Sequence, residues 1–268
     1  MSQLEKDLIC YYEMDTVAAT LTDKVGNYDL TLTAPAPTSL TGPRSEATGA
    51  FFDDRLTKYY HASPTKLVHK GPRTMACWVK LTSNTVLARP FNLVSPTGTY
   101  YHFTLQIWTT HALVPAGNKG TIVVGYRTQD DLGAAVGDAT PTSTITDTDW
   151  HFIAALYNPA GNSIQIYMDD DLKLDTAPKV TNPETHSTVA LSLQQYAAAA
   201  VDYYDLGLYG VGYWNRILTG PELSQLYKSG DGIRYDKITG DRVKGQVAQN
   251  PGVPPGLRDW MKHVNEYT

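Results

Sequence analysis

Three consecutive carboxylates, Asp169-Asp170-Asp171, come nearest in this 268-residue chain to the residue types and spacing of catalytic chemistry. Paired carboxylates hydrolyse glycosidic bonds when about 5–5.5 Å separates them, or more in an inverting mechanism. The run follows a strand-like segment, Ser163 to Met168, and aspartate is favoured in turns because its side chain bonds to nearby backbone. We therefore interpret the run as a solvated turn and not as a catalytic pair.

Other catalytic patterns are missing from the sequence. It contains no Gly-x-Ser-x-Gly nucleophile elbow, no Gly-x-x-x-x-Gly-Lys-Ser/Thr phosphate loop and no His-Glu-x-x-His zinc motif. The seven histidines show no metal-ligand spacing. His102 and His151 alternate with strand residues, which is typical of surface or packing groups. We predict that the protein is not an enzyme and that it has no catalytic residues.

Charge and composition exclude further classes. The chain has 22 Lys and Arg against 27 Asp and Glu, a net charge of −5, whereas proteins that grip duplex nucleic acid carry a basic excess. No run approaches the ~18 apolar residues of a membrane span, and the N-terminus does not resemble a signal peptide. We expect no duplex nucleic acid and no membrane insertion. Cys10 and Cys77 lie in strand-like runs, and we predict free core thiols.

The elements that must position these side chains are short strands. From Tyr101 to Ile107, apolar residues alternate with His102, Thr104 and Gln106, and a period of two with one apolar face predicts a half-buried strand. We predict further strands at Leu8–Met14, Tyr28–Leu32, Ala50–Phe52, Tyr59–His61, Thr74–Leu81, Thr121–Tyr126, Trp150–Tyr157, Ser163–Met168, Val189–Leu193 and Leu206–Trp214. With 21 Gly and 16 Pro, this pattern predicts an all-β, two-sheet antiparallel jelly-roll sandwich. The stretch 128–147 is expected to be a surface excursion.

Aromatic residues supply the expected core and one weak contact candidate. Trp78, Trp150 and Trp214 lie within apolar alternation, so we predict that all three are buried. Trp108 ends a strand in phase with the polar residues of 101–107. We interpret it as a partly exposed aromatic that could contact a sugar or a partner. Thr219 and Glu222 have the spacing of a capping box, which predicts a short closing helix.

Several ordered segments resemble the laminin G-like, concanavalin A-like jelly-roll family. They are Leu8–Asp15, Asp23–Asn27, Ala50–Asp53, Thr74–Lys80, Asp149–Ala154, Ile164–Asp169 and, most specifically, Asp205–Tyr227 with its Trp-Asn-Arg-Ile-Leu stretch. The resemblance covers roughly residues 5–235 and implies one jelly-roll domain over 1–235. Asp169-Asp170 departs from the family's usual Asp-Gly, which puts the construction of that turn in question.

The resemblance implies one candidate cofactor and excludes one chemistry. Many laminin G-like domains bind calcium at the rim of the sandwich, and the matching positions here are Asp23, Asn27 and Asp205, although ordinary turn hydrogen bonds would explain them too. Enzymatic relatives of the laminarinase type place their carboxylates in a Glu-x-Asp-x-x-Glu strand. That sequence does not occur here.

Three functions remain open. The domain is similar to ones encoded by bacteriophages, which implies a structural or adhesive virion protein, a capsid decoration or tail-associated subunit assembled in the host cytoplasm. Its partners would be other virion proteins or further copies of itself. The alternative is a carbohydrate-binding lectin module, and the third hypothesis is a glycoside hydrolase that has lost its recognisable signature.

Residues 236–268 follow the domain as a C-terminal arm. Its inner part is rich in Gly and Pro. Near its end, an amphipathic helix is predicted from four apolar residues spaced i, i+3, i+4 and i+7: Leu257, Trp260, Met261 and Val264. This stripe must bury its apolar side, either on its own sandwich or on a partner. We expect partner docking, since a Pro/Gly spacer gives reach without local contacts.

Overall fold

In most of the described part of the chain, the segments in which apolar and polar residues alternate form strands. In the computed structural model, the described residues are 3–15, 18–26, 28–32, 37–44, 48–52, 59–60, 71–81, 87–94, 101–108, 120–127, 136–139, 144–177, 190–193, 206–230 and 232–238. In chain order the strands are β1 (Leu8–Tyr12), β2 (Thr20–Leu21), β3 (Leu30–Leu32), β4 (Thr38–Thr41), β5 (Thr48–Phe52), β6 (Tyr59–Tyr60), β7 (Arg73–Leu81), β8 (Leu87–Val94), β9 (Tyr101–Trp108), β10 (Thr121–Arg127), β11 (Val136–Ala139), β12 (Trp150–Asn158), β13 (Ser163–Met168), β14 (Asp171–Thr176), β15 (Ala190–Leu193) and β16 (Leu206–Trp214).

The strands form two antiparallel sheets, which confirms the predicted all-β sandwich. Sheet A has the order β14-β13-β12-β7-β16-β5-β4, with β1 also paired to β16. Sheet B has the order β11-β10-β9-β8-β15-β6-β3-β2. A continuous apolar cluster draws buried residues from both sheets and includes Val79, Ile153 and Leu208 of sheet A with Leu105 and Leu191 of sheet B.

Cys10 and Cys77 belong to this inner cluster, and both are free thiols, as predicted. Burial raises the pKa of each thiol well above its usual value. Neither is therefore a reactive thiolate at neutral pH.

Strand β16 changes partner halfway along one of its edges. Its first residues, Leu206 to Leu208, pair with β5, and Val211 to Trp214 pair with β1. Between the two halves Gly210 has a φ of 58°, where the register with β7 also shifts. A glycine is needed because other residues rarely adopt a positive φ. The bulge lets one strand hold two successive neighbours.

A second buried cluster lies on the outer face of sheet A, and we call it the outer cluster. Along β12, Phe152, Ala154 and Leu156 belong to it, whereas the alternate residues belong to the inner cluster. Trp78 and Trp214 are also members, so both are buried as predicted, but outside the two sheets and not between them. Its cover is α1 (Gly220–Tyr227), a 3-10 turn (Lys228–Gly230) and α2 (Tyr235–Ile238).

The Trp-Asn-Arg-Ile-Leu stretch fastens this cover to the sheet. The Arg216 guanidinium binds Glu222 through two hydrogen bonds of 2.6 and 2.8 Å, and it also donates to the carbonyl oxygens of Gln3 and Lys6. The predicted capping box is present, with Glu222 accepting from the Thr219 backbone N–H at 2.8 Å. Arg216 and Thr219 together lower the pKa of Glu222 to about 2. The stretch therefore has a structural role, which is to hold the helical cover against sheet A.

The segment after α1 extends the domain slightly past the predicted boundary at residue 235. Tyr11 stacks on Tyr235 with ring centroids 5.7 Å apart, and the Tyr235 N–H donates to Glu13 at 3.1 Å. Ile238 is fully buried in the outer cluster. The first residues assigned to the arm are thus part of the sandwich, and the predicted docking residues Leu257, Trp260, Met261 and Val264 lie outside the described residues.

The non-core side of sheet B carries polar side chains. Ser192, Asn92, Thr104 and Gly125 lie opposite one another in register on four neighbouring strands. Ser192, Asn92 and Thr104 are buried, and the Thr104 hydroxyl donates to the Asn92 side-chain oxygen. Thr104 is thus more buried than the alternation of 101–107 suggests.

Several strands of the structure were not predicted from the sequence, and the reasons are local. Strand β8 contains Pro90, which lies at a register shift between Ala88 and Phe91 where a ladder N–H is not needed. The stretch 128–147, expected to be a surface excursion, contains β11, which pairs with β10, so the prediction was wrong for that segment.

Asp169 and Asp170 form the predicted turn with φ values of 53° and 70°, the positive values of a two-residue type I′ hairpin.

Candidate functional site

The start of β12 lies at the end of sheet A opposite to Trp214, and Tyr227 of α1 packs against Phe152 two residues further along the strand. Trp150 pairs with Lys80 of β7, and Lys80 pairs with Gly207 of β16. Residues directly opposite in a sheet place their side chains on the same face, so these three positions form a row across the outer face. Gly207 and Trp214 are seven residues apart on β16, or roughly 23 Å in a strand.

Two glycines make room for the Trp150 indole on this face. A Cβ added at Gly49 would come within 3.0 Å of Trp150 Cη2, and one at Gly207 within 3.2 Å. The indole N–H donates to the Thr41 carbonyl oxygen at 3.0 Å, which fixes the ring. Trp150 is half-buried and packs against the outer cluster, so the prediction of a buried core tryptophan is confirmed only in part here. The glycine backbones replace the side chains that would otherwise hold the ring away from the sheet.

His151, the next residue, is held between two carboxylates. Its Nδ1 lies 2.6 Å from Asp169 Oδ2 and its Nε2 lies 2.8 Å from Asp147 Oδ1. The hydrogen bond to Asp169, followed by the one to Asp147, raises the pKa of His151 to about 9. The imidazole is therefore protonated at neutral pH, and both of its N–H groups are engaged.

The carboxylates are themselves oriented by backbone. Asp169 Oδ1 accepts from the Phe152 N–H at 2.9 Å, and Asp147 Oδ1 accepts from the Asp149 N–H at 2.9 Å. The bonds from His151 and Asp149 lower the pKa of Asp147, and Lys80 lies close enough to lower it further. Asp147 is 53% exposed. We call Trp150, His151, Asp147, Asp169 and Lys80 the Trp150 site. His151 pairs with Val79, so its side chain lies on the core-facing side of sheet A, whereas Trp150 and Lys80 lie on the outer face.

Sequence reasoning placed His151 among surface or packing groups and missed this arrangement. Asp169 reaches His151 because β12 and β13 form a hairpin in which Ile153 pairs with Met168. The available signal was the four-residue spacing of Asp147 and His151 with the Asp run after β13. A four-residue spacing of Asp and His does not by itself show that the two side chains are in contact.

The other candidate positions are only partly within the described residues. The Asp23 carboxylate is buried and accepts from the backbone N–H groups of Tyr11, Val25 and Tyr28 at 2.9, 3.0 and 3.1 Å. Asn27 and Asp205 lie outside the described residues, so the calcium site stays a prediction.

The described ranges contain no group of three or more His, Cys, Asp or Glu side chains placed to hold a metal. Trp108 is the last residue of β9, paired with Leu87 and Thr121, and its side chain lies outside the description. Among the helices of the described residues, none is long and apolar enough to cross a membrane.

No protein-family model and no curated protein matches the chain. Solved structures do. The binding domain of botulinum neurotoxin DC in complex with rat synaptotagmin II is similar, with a TM-score of 0.60 and 12% identity over 87% of this chain and 53% of that one. The binding domain of Paraclostridial Mosquitocidal Protein 1 gives 0.61 and 11% over 85% and 53%. This chain thus spans about half the length of these toxin domains.

Domain 4 of AbnA, an extracellular arabinanase from Geobacillus stearothermophilus, was solved in complex with arabinotriose. It is similar over 81% of this chain and 97% of that one, with a TM-score of 0.59 and 14% identity. At such identities the likeness concerns the fold. The chain shares the lectin-like β-sandwich of these binding domains.

Proposed function

We propose that this chain is a non-enzymatic carbohydrate-binding module that acts in adhesion. The observation that carries the proposal is the half-buried Trp150 indole, held against Gly49 and Gly207 on the outer face of sheet A. An aromatic ring fixed on a sheet offers a flat apolar surface to the C–H face of a sugar, and carboxylates accept hydrogen bonds from its hydroxyls. Trp150 provides the flat apolar surface, and Asp147, which binds the neighbouring residue His151, provides a carboxylate at the same end of β12.

The similar solved structures support this function. AbnA domain 4, which matches along nearly its whole length, is a complex with arabinotriose. Another structure of the botulinum neurotoxin DC binding domain is described as a complex with SialylT, and matches with a TM-score of 0.60 at 13% identity over 87% of this chain and 53% of that one. Because the toxin domains are about twice as long, the arabinanase domain is the stronger support.

The state of His151 supports binding over catalysis. Glycoside hydrolysis needs one carboxyl group protonated as the acid and another ionised. At the Trp150 site, the hydrogen bond from His151 lowers the pKa of Asp147, so this carboxyl group is ionised and does not serve as the acid at neutral pH. The imidazole itself has no free nitrogen to accept a proton.

A glycan array with the purified chain tests the proposal. Trp150→Ala should lose binding by about 2 kcal/mol, or roughly thirty-fold, as truncation of a tryptophan anchor does. Trp150→Phe keeps an aromatic ring and should retain part of the affinity, which separates stacking from a general loss of structure. Unchanged binding of Trp150→Ala would contradict the site, and turnover of a bound glycan would contradict the non-enzymatic role.

A place on a virus particle is the second proposed role, and it extends the first. Its support is the resemblance to bacteriophage-encoded domains together with the anchoring of Tyr235 and Ile238, which fixes where the arm begins. The arm would then join the module to other virion proteins or to further copies.

Deletion of residues 239–268 tests this role, since it leaves Ile238 in place. We expect an unchanged melting temperature and loss of assembly, measured by calorimetry and mass photometry. A large fall in melting temperature with assembly intact would show instead that the arm belongs to the fold.

A further inference from the structure

Lys80 carries an unengaged donor on the outer face of sheet A beside Trp150. The indole N–H of Trp150 already donates to the Thr41 carbonyl oxygen. Within the described part of the chain, no hydrogen bond or ion pair involves Lys80 Nζ, and the side chain is partly exposed. Asp147 is near enough for Lys80 to lower its pKa, but its carboxylate is bonded to His151. A ligand on this face can therefore bind the ammonium without first displacing a described partner.

The Lys80 side chain leaves the sheet next to the Trp150 indole. Lys80 lies directly opposite Trp150 on one neighbouring strand and opposite Gly207 on the other. A Cβ placed on Gly207 would lie 3.0 Å from Lys80 Cβ and 3.2 Å from Trp150 Cη2, so both atoms border the same point above the glycine. Because the four-carbon stem of lysine is flexible, Nζ can reach a substituent of a sugar ring that lies on the indole.

A second cation lies on the same face. Arg44 donates to the Tyr209 hydroxyl at 2.9 Å, and its guanidinium lies 5.9 Å from the centre of that ring. Tyr209 is two residues from Gly207 on β16, so it belongs to the adjacent row of the face. Glu13 is also close to Tyr209, but it accepts from the Tyr235 N–H at 3.1 Å and lies 3.6 and 3.8 Å from two cations of its own. The cations on either side of Gly207 therefore favour a negatively charged ligand.

We infer that the Trp150 site prefers glycans that carry an anionic group, a carboxylate or a sulfate, which Lys80 binds while the sugar ring lies on the Trp150 indole. This inference rests on the proposed carbohydrate-binding function and names its ligand class. An ammonium forms a charge-assisted hydrogen bond with such a group, which is stronger than a bond to a neutral hydroxyl. Lys80 then sets the specificity, and Trp150 supplies affinity for sugar rings in general.

A glycan array and titration calorimetry with matched probes test the preference. Lactose, 3′-sialyllactose and 3′-sulfolactose share one disaccharide and distinguish a carboxylate from a sulfate. At low ionic strength, at least one acidic probe should bind the full chain about fivefold more tightly than lactose, and 1 M NaCl should remove most of this difference. Glycan binding in which no acidic glycan exceeds its neutral counterpart overturns the inference and leaves the proposed function standing. If wild-type protein binds no glycan at all, both fail.

Substitution of Lys80 tests whether this residue sets the preference. Lys80→Gln removes the charge and should abolish the preference, whereas Lys80→Arg keeps the charge and should retain it. Lys6→Gln is the matched control, because Lys6 is exposed and its carbonyl oxygen binds Arg216 at the Trp214 end of the sheet. This control should keep the wild-type preference. A preference that persists in Lys80→Gln, or that disappears in Lys6→Gln as well, overturns the inference.

Discussion

The three tryptophans on the outer face of sheet A differ in how deeply they are buried. Trp214 at one end and Trp78 in the middle of β7 are buried beneath α1 and α2. At the other end, Trp150 lies against Gly49 and Gly207 and keeps part of its surface in solvent. All three occupy the same alternation on adjacent strands. The difference therefore comes from what covers each end, and it separates residues that stabilise the fold from a residue that is available to a ligand.

Truncation at the two ends should separate stability from binding. Trp214 is fully buried and its indole N–H donates to the Leu4 carbonyl oxygen at 2.7 Å. Trp214→Ala should lower the free energy of unfolding by about 3–5 kcal/mol, and Trp150→Ala by about 1–2 kcal/mol, since less surface is buried there. Urea denaturation measures both. Similar losses for the two variants would abolish the distinction between the ends.

Acid should weaken the closed end through Glu222. Its folded pKa of about 2 lies below the unfolded value near 4.5, so the ionised carboxylate stabilises the fold above pH 4.5 and this contribution disappears as the pH falls toward 2. The contribution is on the order of 3 kcal/mol. Denaturation between pH 6 and pH 2 should show this loss in wild-type protein and a flatter profile in Glu222→Gln. The exposed Asp171→Asn variant should behave like wild type.

Alkali should weaken the open end through His151. Its folded pKa of about 9 lies above the ordinary 6.5, so the stabilisation is complete below pH 6.5 and is lost as the pH rises through 9. We expect a loss of about 1–2 kcal/mol, reduced from the full shift because Asp147 is half exposed and water screens the pair. Denaturation from pH 6 to pH 10 measures it. A wild-type slope equal to that of His151→Gln would show that the carboxylates contribute nothing.

The smallest effect on stability is expected at Gly207. Its added Cβ would lie 3.0 Å from Leu40 Cδ2 and 3.2 Å from Trp150 Cη2, so Gly207→Ala should displace the indole at an expense of about 1 kcal/mol. Binding of a glycan identified on the array should weaken several-fold. Gly220→Ala is the matched control, because its Cβ has no atom within 4 Å. Full binding by Gly207→Ala would mean that the indole position does not matter.

Local patterns predicted the sheets and the closing helix well. The alternation of 101–107 and the capping box at Thr219 depend on neighbours within a few residues, and both are present. The half-exposure of Trp150 depends on Gly49 and Gly207, which are far away in sequence. Nothing in the tryptophan's own strand distinguishes it from Trp78.

The charge state of His151 could not be predicted for the same reason, since it depends on a residue outside its own strand. His151 was assessed within its own strand, yet its state is set by Asp169 on the next one, through the pairing of β12 with β13. Predicting that contact requires the register of a hairpin. The turn at Asp170 was also difficult to predict from the sequence, because an aspartate there adopts the positive φ that glycine adopts more easily.

The pairing of β16 also bears on how the chain folds during synthesis. Among the described strands, β1 pairs only with β16, and its residues meet partners about 200 positions later in the chain. At roughly 5–20 residues per second, a ribosome leaves β1 without its neighbour for roughly 10–40 s. Such high contact order predicts slow folding. Because β1 is made before β16 and must wait for it, sheet A can be completed only after β16 has been synthesised.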